Sequence, residues 1–140
     1  MREVSKFTTQ SVLTASRGQL VVMLYDGFMR FAAQAVQALE RQDVAAAAEP
    51  LSRAQRILTE LRASLDMRQG EIVTRLDSIY DCVGRRLTAA RVERDPSAVR
   101  EAIDPMSGLR DAWARIASSE DGATASAQIA RRPIGVDLSG

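Results

Sequence analysis

Two aspartates one helical turn apart, Asp77 and Asp81, are the first candidates for chemistry in this chain. Carboxylates at this spacing share one helix face, as the paired carboxylates of acid–base or di-metal sites do. Arg85 follows Asp81 by four residues, and Arg75 and Arg86 lie close by, so intrahelical ion pairs also account for the set. A di-metal carboxylate bundle needs Glu-x-x-His motifs, and the chain has no histidine. We therefore interpret the aspartates as ion-paired residues.

The only cysteine, Cys82, is the remaining reactive side chain. A single cysteine excludes an internal disulfide and a cysteine zinc site, and its place beside an apolar stripe predicts a partly buried, small apolar residue. The lack of histidine removes the usual general base and the Ser/His and Cys/His nucleophile pairs. The glycines are isolated, so the sequence contains no phosphate-binding loop. We predict no catalytic residue, no metal site and no cofactor.

Composition narrows the class further. With 140 residues, the chain is predicted to form one domain, and its net charge of +1 gives no strong attraction to nucleic acid or an anionic membrane. No apolar run reaches the roughly 18 residues of a membrane span, and the polar first ten residues do not form a secretory signal. These features favour a cytoplasmic protein.

The segment from Leu20 to Leu39 is the most apolar part of the chain, and helical spacing places apolar residues around more than half of its circumference. A helix that packs on one core needs an apolar stripe of roughly 100°. The excess requires a second apolar neighbour, which is either another helix of this chain or a partner. Gly27, in the middle of this segment, favours close approach of another helix, again from the same bundle or from a bound partner.

Four helices of about 20 residues follow from apolar spacing and capping residues. The first begins after Ser16 and reaches about Arg41, the second runs from an Asp43 cap to about residue 65, the third covers about 71–90, and the fourth begins at Pro96 after an Asp95 cap and ends near Ala117. Short loops predict an all-α, antiparallel up-down four-helix bundle. We expect a loose N-terminal arm over 1–15, a bundle domain over 1–117 and a disordered tail over 118–140.

The apolar stripes predict which residues of the last three helices face the core, and two prolines interrupt the pattern. Pro50 is expected to kink the second helix or shift its start, and Pro105 with Gly108 to bend or locally unwind the fourth. The predicted inner stripes are Ala47, Leu51, Ala54, Ile57, Leu58, Leu61 and Leu65; Ile72, Val73, Leu76, Ile79, Tyr80, Val83 and Leu87; and Val99, Ala102, Ile103, Met106, Leu109, Trp113 and Ile116.

Short motifs in all four helices resemble the FliS family of flagellar secretion chaperones, in the right order and over residues 7–117. The matching segments are 14–16 and 20–27 (Thr-Ala-Ser and Leu-Val-Val-Met-Leu-Tyr-Asp-Gly), 54–61, 63–66, 70–72, 76–81, 85–87 and 109–113, which reads Leu-Arg-Asp-Ala-Trp. The chain departs from the family where Arg17 and Gly18 replace the usual proline. It also differs at Cys82 and Gly84, which replace bulkier residues.

The resemblance implies a non-enzymatic, cytoplasmic chaperone that binds the C-terminal region of flagellin, prevents premature polymerisation and aids delivery to the flagellar type III export apparatus. The family fold implied is a four-helix bundle with a short N-terminal cap segment. Phe7 holds the place of an N-terminal tyrosine of the family, and we expect the arm to cover part of the client groove in the free state.

The apolar excess suits recognition of a client helix in a groove. The residues that we predict to bind flagellin are Phe7, Val12, Leu13, Leu20, Val21, Leu24, Tyr25, Gly27, Phe28, Leu76 and Tyr80. Other flagellar export or regulatory proteins, and a weak homodimer, are further candidate partners. The alternative function is a helical regulatory or scaffold protein for another flagellar component, such as an anti-sigma factor.

Overall fold

A computed structural model of the protein describes residues 17–118, which form four α-helices and one short 3-10 helix. The predicted N-terminal arm and C-terminal tail, and the cap at Ser16, lie outside the described residues. The bounds are α1 Arg17–Glu40, α2 Val44–Ala63, the 3-10 helix Met67–Gln69, α3 Glu71–Glu93 and α4 Pro96–Ala117. None of these helices is long and apolar enough to cross a membrane.

Two loops at one end of the bundle use the same local design. Gln42 follows the end of α1 and Arg94 follows the end of α3, each with a positive φ, and the next residue is an aspartate that caps the following helix. The amide of each aspartate returns to the carbonyl five residues earlier, as in a Schellman motif. The two predicted aspartate caps are therefore confirmed. α3 extends three residues beyond the predicted end, because a left-handed arginine rather than a glycine terminates it.

The helices form an antiparallel bundle in which α1 packs extensively on both α2 and α4, while α2 and α3 pack less closely than the other neighbouring pairs. The predicted four-helix bundle is confirmed. The wide apolar surface of α1 is explained within the chain, because its two sides face two neighbouring helices. Phe28, Ala32 and Ala35 are fully buried between them, and Gly27 is buried as well.

Neither internal proline interrupts its helix, so the shifted start expected at Pro50 and the local unwinding expected at Pro105 are not observed. α2 begins directly after the Asp43 cap and continues through Pro50, and α4 continues through Pro105 and Gly108 without local unwinding. Proline removes one backbone donor but leaves the helix path open where its ring meets no neighbour. Pro105 is exposed and Gly108 has open space beside it, so the rest of the helix accommodates both.

Candidate binding surface

The residues predicted to bind the client lie mostly inside the bundle. Val21, Leu24, Tyr25, Phe28, Leu76 and Tyr80 are at most 6% exposed, and Gly27 is buried while Leu20 is half-buried. Phe7, Val12 and Leu13 lie outside the described residues. In this state of the bundle, the buried members shape the surface from beneath rather than present side chains to a partner. A direct role in flagellin binding stays a prediction for all eleven.

A buried hydrogen-bond network ties three helices together at the centre of the core. The hydroxyl groups of Tyr25 on α1 and Tyr80 on α3 are hydrogen-bonded to each other, with ring centroids 6.5 Å apart. The indole N–H of Trp113 on α4 lies close enough to the Tyr25 hydroxyl to lower its pKa. Because a buried polar group is costly without a partner, this network favours one relative position of α1, α3 and α4.

The same burial changes the acidity of both phenols. Loss of solvent raises the pKa of Tyr80 to about 12. Loss of solvent, reinforced by the neighbouring Tyr80, raises the pKa of Tyr25 well above its usual value. Both groups therefore stay neutral at physiological pH, and they serve packing rather than proton transfer.

The two aspartates considered first for chemistry form a bridge between helices. Arg62 of α2 donates to both oxygens of Asp77 at 2.9 and 3.3 Å and approaches Asp81 at 3.5 Å. Arg85 pairs with Asp81 within α3 at 2.7 Å. The intrahelical explanation is thus right for Asp81 and Arg85 and wrong for Asp77. Its partner comes from α2, which sequence spacing within α3 could not reveal.

Further polar contacts continue this line and define a polar seam between α2 and α3. Gln55 donates to the Thr88 hydroxyl at 3.3 Å, and Arg91 donates to the Ser52 hydroxyl at 3.0 Å. A shallow groove of about 320 Å³ runs along it. The seam comprises Ser52, Gln55, Arg62, Asp77, Asp81, Gly84, Arg85, Thr88 and Arg91.

The opposite side of α3 is apolar. Ile72, Ile79 and Arg86 follow one another at intervals of seven residues, so all three share one side of α3. Arg86 pairs with Glu101 of α4 at 3.4 Å. The side of α4 that carries Glu101 also carries, at helical spacing, residues 105, 109, 112 and 116. The apolar strip is therefore made of Ile72 and Ile79 of α3 and Pro105, Leu109, Ala112 and Ile116 of α4.

The apolar strip is open to solvent. Ile72 is 55% exposed, whereas its neighbour Val73 is fully buried. Pro105 is exposed, and the other four members are half-buried. The prediction that Ile72 belongs to the core stripe is wrong, because the stripe at 73, 76 and 80 already fills the inner face. The seven-residue spacing from Ile72 through Ile79 to Arg86 was the sequence signal that these residues form a separate row beside the core stripe.

A second apolar recess lies at the same end of the bundle, between the start of α1 and the end of α4. It has a volume of about 300 Å³ and is lined by Gln19, Val22, Met23, Ala114, Ala117 and Ser118. The antiparallel order places it one helix away from the apolar strip, with the last turns of α4 between them. Together, the two surfaces leave both sides of this helix end apolar and accessible.

The single cysteine of the chain lies on the surface of α3. Cys82 is exposed, so the prediction of partial burial is wrong. Among residues 17–118, no group of three or more His, Cys, Asp or Glu side chains is arranged to hold a metal ion.

Comparison with known proteins matches most of the chain. The family model described as flagellar protein FliS matches residues 2–120. Proteins named flagellar secretion chaperone FliS are similar over most of their length. The Bacillus subtilis protein is 35% identical over 81% of this chain and 85% of its own. The Salmonella typhimurium protein is 39% identical over 76% and 80%, and the Campylobacter jejuni protein 30% identical over 73% and 80%.

Proposed function

The chain belongs to the FliS family, and from this premise we propose that it binds the C-terminal region of flagellin on the apolar strip and the adjoining recess. The family is one of flagellar secretion chaperones and not of enzymes, which agrees with the function expected from the sequence motifs. The alternative of a regulatory or scaffold protein for another flagellar component is not favoured.

The exposure of Ile72 and Pro105 beside four half-buried apolar residues supports this proposal most directly. Burial of such a surface by a partner is favourable at roughly 25 cal/mol per Å² of apolar area. Ile72 and Ile79 are seven residues apart, as are Leu109 and Ile116. Each pair therefore spans about 10 Å, a length that two turns of an amphipathic client helix can cover.

The buried tyrosine network supports the strip from within. Tyr80 is adjacent in sequence to Ile79, and Trp113 is adjacent to Ala112. Because their polar groups are fixed in the core, the two helices that carry the strip are held in register before the client arrives. A preformed surface reduces the entropy that binding must offset, which matters for a client that orders on binding.

The physiological role that follows is capture of flagellin in the cytoplasm, prevention of premature polymerisation and delivery to the flagellar export apparatus. We include the N-terminal arm in the proposal, with Phe7, Val12 and Leu13 as its anchors. α1 begins at the end of the bundle where both apolar surfaces lie, so the arm can reach them. Deletion of residues 1–12 is expected to change flagellin affinity, and an unchanged affinity would remove the arm from the proposal.

Isothermal titration with flagellin from the same genome tests the proposal. Full-length flagellin should bind one-to-one with a negative heat-capacity change, the signature of apolar burial. Flagellin that lacks its last ~40 residues should not bind. Equal binding of both forms would contradict recognition of the C-terminus, and no binding of either would contradict the chaperone role for this client.

A further inference from the structure

We infer that residues 131–138 of this chain cover the apolar strip when no client is bound, with the two arginines of this segment beside Asp104 of α4. The segment has the sequence Arg-Arg-Pro-Ile-Gly-Val-Asp-Leu and begins thirteen residues after Ser118. A tethered segment on the strip keeps its exposed apolar surface from binding other proteins. The docking itself needs no client, whereas displacement of the segment by flagellin rests on the proposed function.

The apolar residues of the segment match the strip in pattern and in length. Ile134, Val136 and Leu138 occupy alternate positions, so they share one side when the segment is extended, and they then span about 13 Å. The Arg-Pro step before them favours extended backbone. The α4 members of the strip, from Pro105 to Ile116, span about 16 Å along the helix axis. One extended segment therefore covers most of the strip.

A row of exposed residues on α4 supplies the complementary charge, and each of its members precedes a member of the strip by one residue. The row comprises Asp104, Gly108, Asp111 and Arg115. Asp111 lies 3.6 Å from Arg110, whereas none of the ion pairs found within residues 17–118 involves Asp104. Arg115 is about 16 Å from Asp104 along the helix axis. Asp104 is therefore the carboxylate available to the two arginines of the segment.

The chain between the bundle and the segment is long enough to reach this row. Asp104 precedes Ser118 by fourteen residues of helix, a distance of about 21 Å. The thirteen residues from Ser118 to Arg131 can extend to about 43 Å, and the first ten of them are small or polar, a composition that suits a linker. Such a tether gives the segment an effective concentration of the order of millimolar, so weak contacts are enough to hold it.

Gly108 provides a place where the chain can cross α4 from this row to the strip. No atom lies within 4 Å of the position that a Cβ atom would occupy there. The crossing is short, because a helix with its side chains is about 10 Å wide. Two or three extended residues therefore lead from an arginine beside Asp104 to an apolar side chain on the strip.

The single cysteine lies where the docked segment can be detected. Cys82 is exposed, and it follows Ile79 by three residues and precedes Arg86 by four, so it borders the α3 row of the strip. Arg86 is level with Glu101 through their ion pair. Cys82 and Pro105 each lie about one turn from that pair, in the direction of the strip. A cysteine in the middle of the docked segment should therefore come within disulfide distance of Cys82.

Disulfide formation in the free, full-length protein tests the inference. Under a mild oxidant, Val136→Cys should form an intramolecular disulfide with Cys82. The matched control carries the same cysteine on the same tether, together with Ile134→Ser and Leu138→Ser. The control should react about tenfold more slowly, because it lacks the apolar side chains that hold the segment on the strip.

Charge reversal tests the contact with Asp104. Added to Val136→Cys, Asp104→Arg should slow disulfide formation about fivefold at ~50 mM salt and about twofold at ~500 mM, because salt screens exposed charges. Adding Arg131→Glu and Arg132→Glu to this variant should restore most of the rate. Asp104 is exposed, so circular dichroism should show every variant folded. An unchanged rate in Asp104→Arg would overturn the inference.

The remaining outcomes separate the inference from the proposed function. A faster intramolecular reaction of Val136→Cys than of its matched control supports the inference. Equal rates of the two, or a disulfide between two molecules, which would indicate a second copy on the strip, overturn it and leave the proposed function intact. Full-length flagellin should slow the reaction about tenfold. Flagellin that binds without slowing it would overturn displacement of the segment by the client.

Discussion

Helix α3 has a polar flank, the polar seam toward α2, and an apolar flank, the apolar strip toward α4. Polar side chains of the first flank are paired within the chain, whereas the apolar side chains of the second remain accessible. On the polar flank, Asp77 and Asp81 are paired with Arg62, and Gln55 with Thr88. On the apolar flank, one ion pair between Arg86 and Glu101 is followed by six apolar residues that remain accessible. The polar flank therefore joins α3 to α2, whereas the apolar flank is available to a partner.

The difference teaches how one small bundle can be stable and still bind a client. The ion pairs of the polar flank add little to the stability of the bundle, because exposed ion pairs contribute about 0–1 kcal/mol each. The apolar flank keeps its larger hydrophobic contribution available to a partner. The tyrosine network beneath both flanks fixes α3 against α1, so the open flank does not need a client to take its shape.

The largest effect should come from alkaline pH, which disrupts the core beneath both flanks. The pKa values of both tyrosines are raised above the unfolded value near 10, so their contribution to stability is complete below pH 10 and is lost as pH rises toward 12. In this window, the free energy of unfolding should fall by about 1.4 kcal/mol per pH unit for each tyrosine.

Absorbance near 295 nm monitors this directly, because the chain has only two tyrosines. Tyrosinate should be absent at pH 10.5 in folded protein and should appear together with the loss of helical circular dichroism. A tyrosine that titrates near pH 10 while the helices persist would contradict the buried network.

A charge on the apolar flank should have the next largest effect. Ile72→Glu is expected to lower flagellin affinity about a hundredfold, since it places a charge where apolar contact is required. Its 55% exposure means that the bundle should keep its stability. The matched control is Val44→Glu, an exposed β-branched residue at the start of α2, which should bind as wild type does. Equal affinities of the two variants would remove Ile72 from the site.

Pro105 permits a test of how the apolar flank is built. Pro105→Ala restores a backbone donor inside α4 and should stabilise the bundle by about 1–2 kcal/mol, the helix gain being partly offset by greater freedom of the unfolded chain. Thermal unfolding should show a higher midpoint. A clearly lower midpoint would mean that packing requires the proline at this position.

The smallest effect is expected on the polar flank. Arg62→Ala leaves Asp77 and Asp81 without their shared partner and should cost about 1 kcal/mol at low salt, less at high salt. Arg85→Ala, which removes only an intrahelical pair, should cost a few tenths of a kcal/mol. Urea unfolding of both variants measures the difference. A larger loss for Arg85→Ala would reverse the assigned roles.

Much of the fold could be predicted from local sequence signals. The aspartate caps, the order of the helices and the end of α4 at Ala117 all depend on residues within one turn of each other. The end of α3 could not, because Arg94 adopts a left-handed conformation that arginine rarely takes. The continuous path of α4 through Pro105 could not be predicted either, because it depends on the space around the proline ring.

The candidate site was harder to predict for a physical reason. Sequence identifies apolar residues but does not distinguish those that fill the core from those that a partner covers. Ile72 and Val73 are chemically similar neighbours, yet one is 55% exposed and the other fully buried. The resemblance to the family, by contrast, depends on residue identity alone, and the comparisons confirm it.

Site-specific photo-crosslinking tests the central claim most directly. A photoreactive amino acid at position 72, in complex with full-length flagellin, should form a crosslink that mass spectrometry maps to the flagellin C-terminal region. The same amino acid at position 44 should give none. Crosslinks from position 44 but not from position 72 would contradict the assignment of the client to the apolar strip.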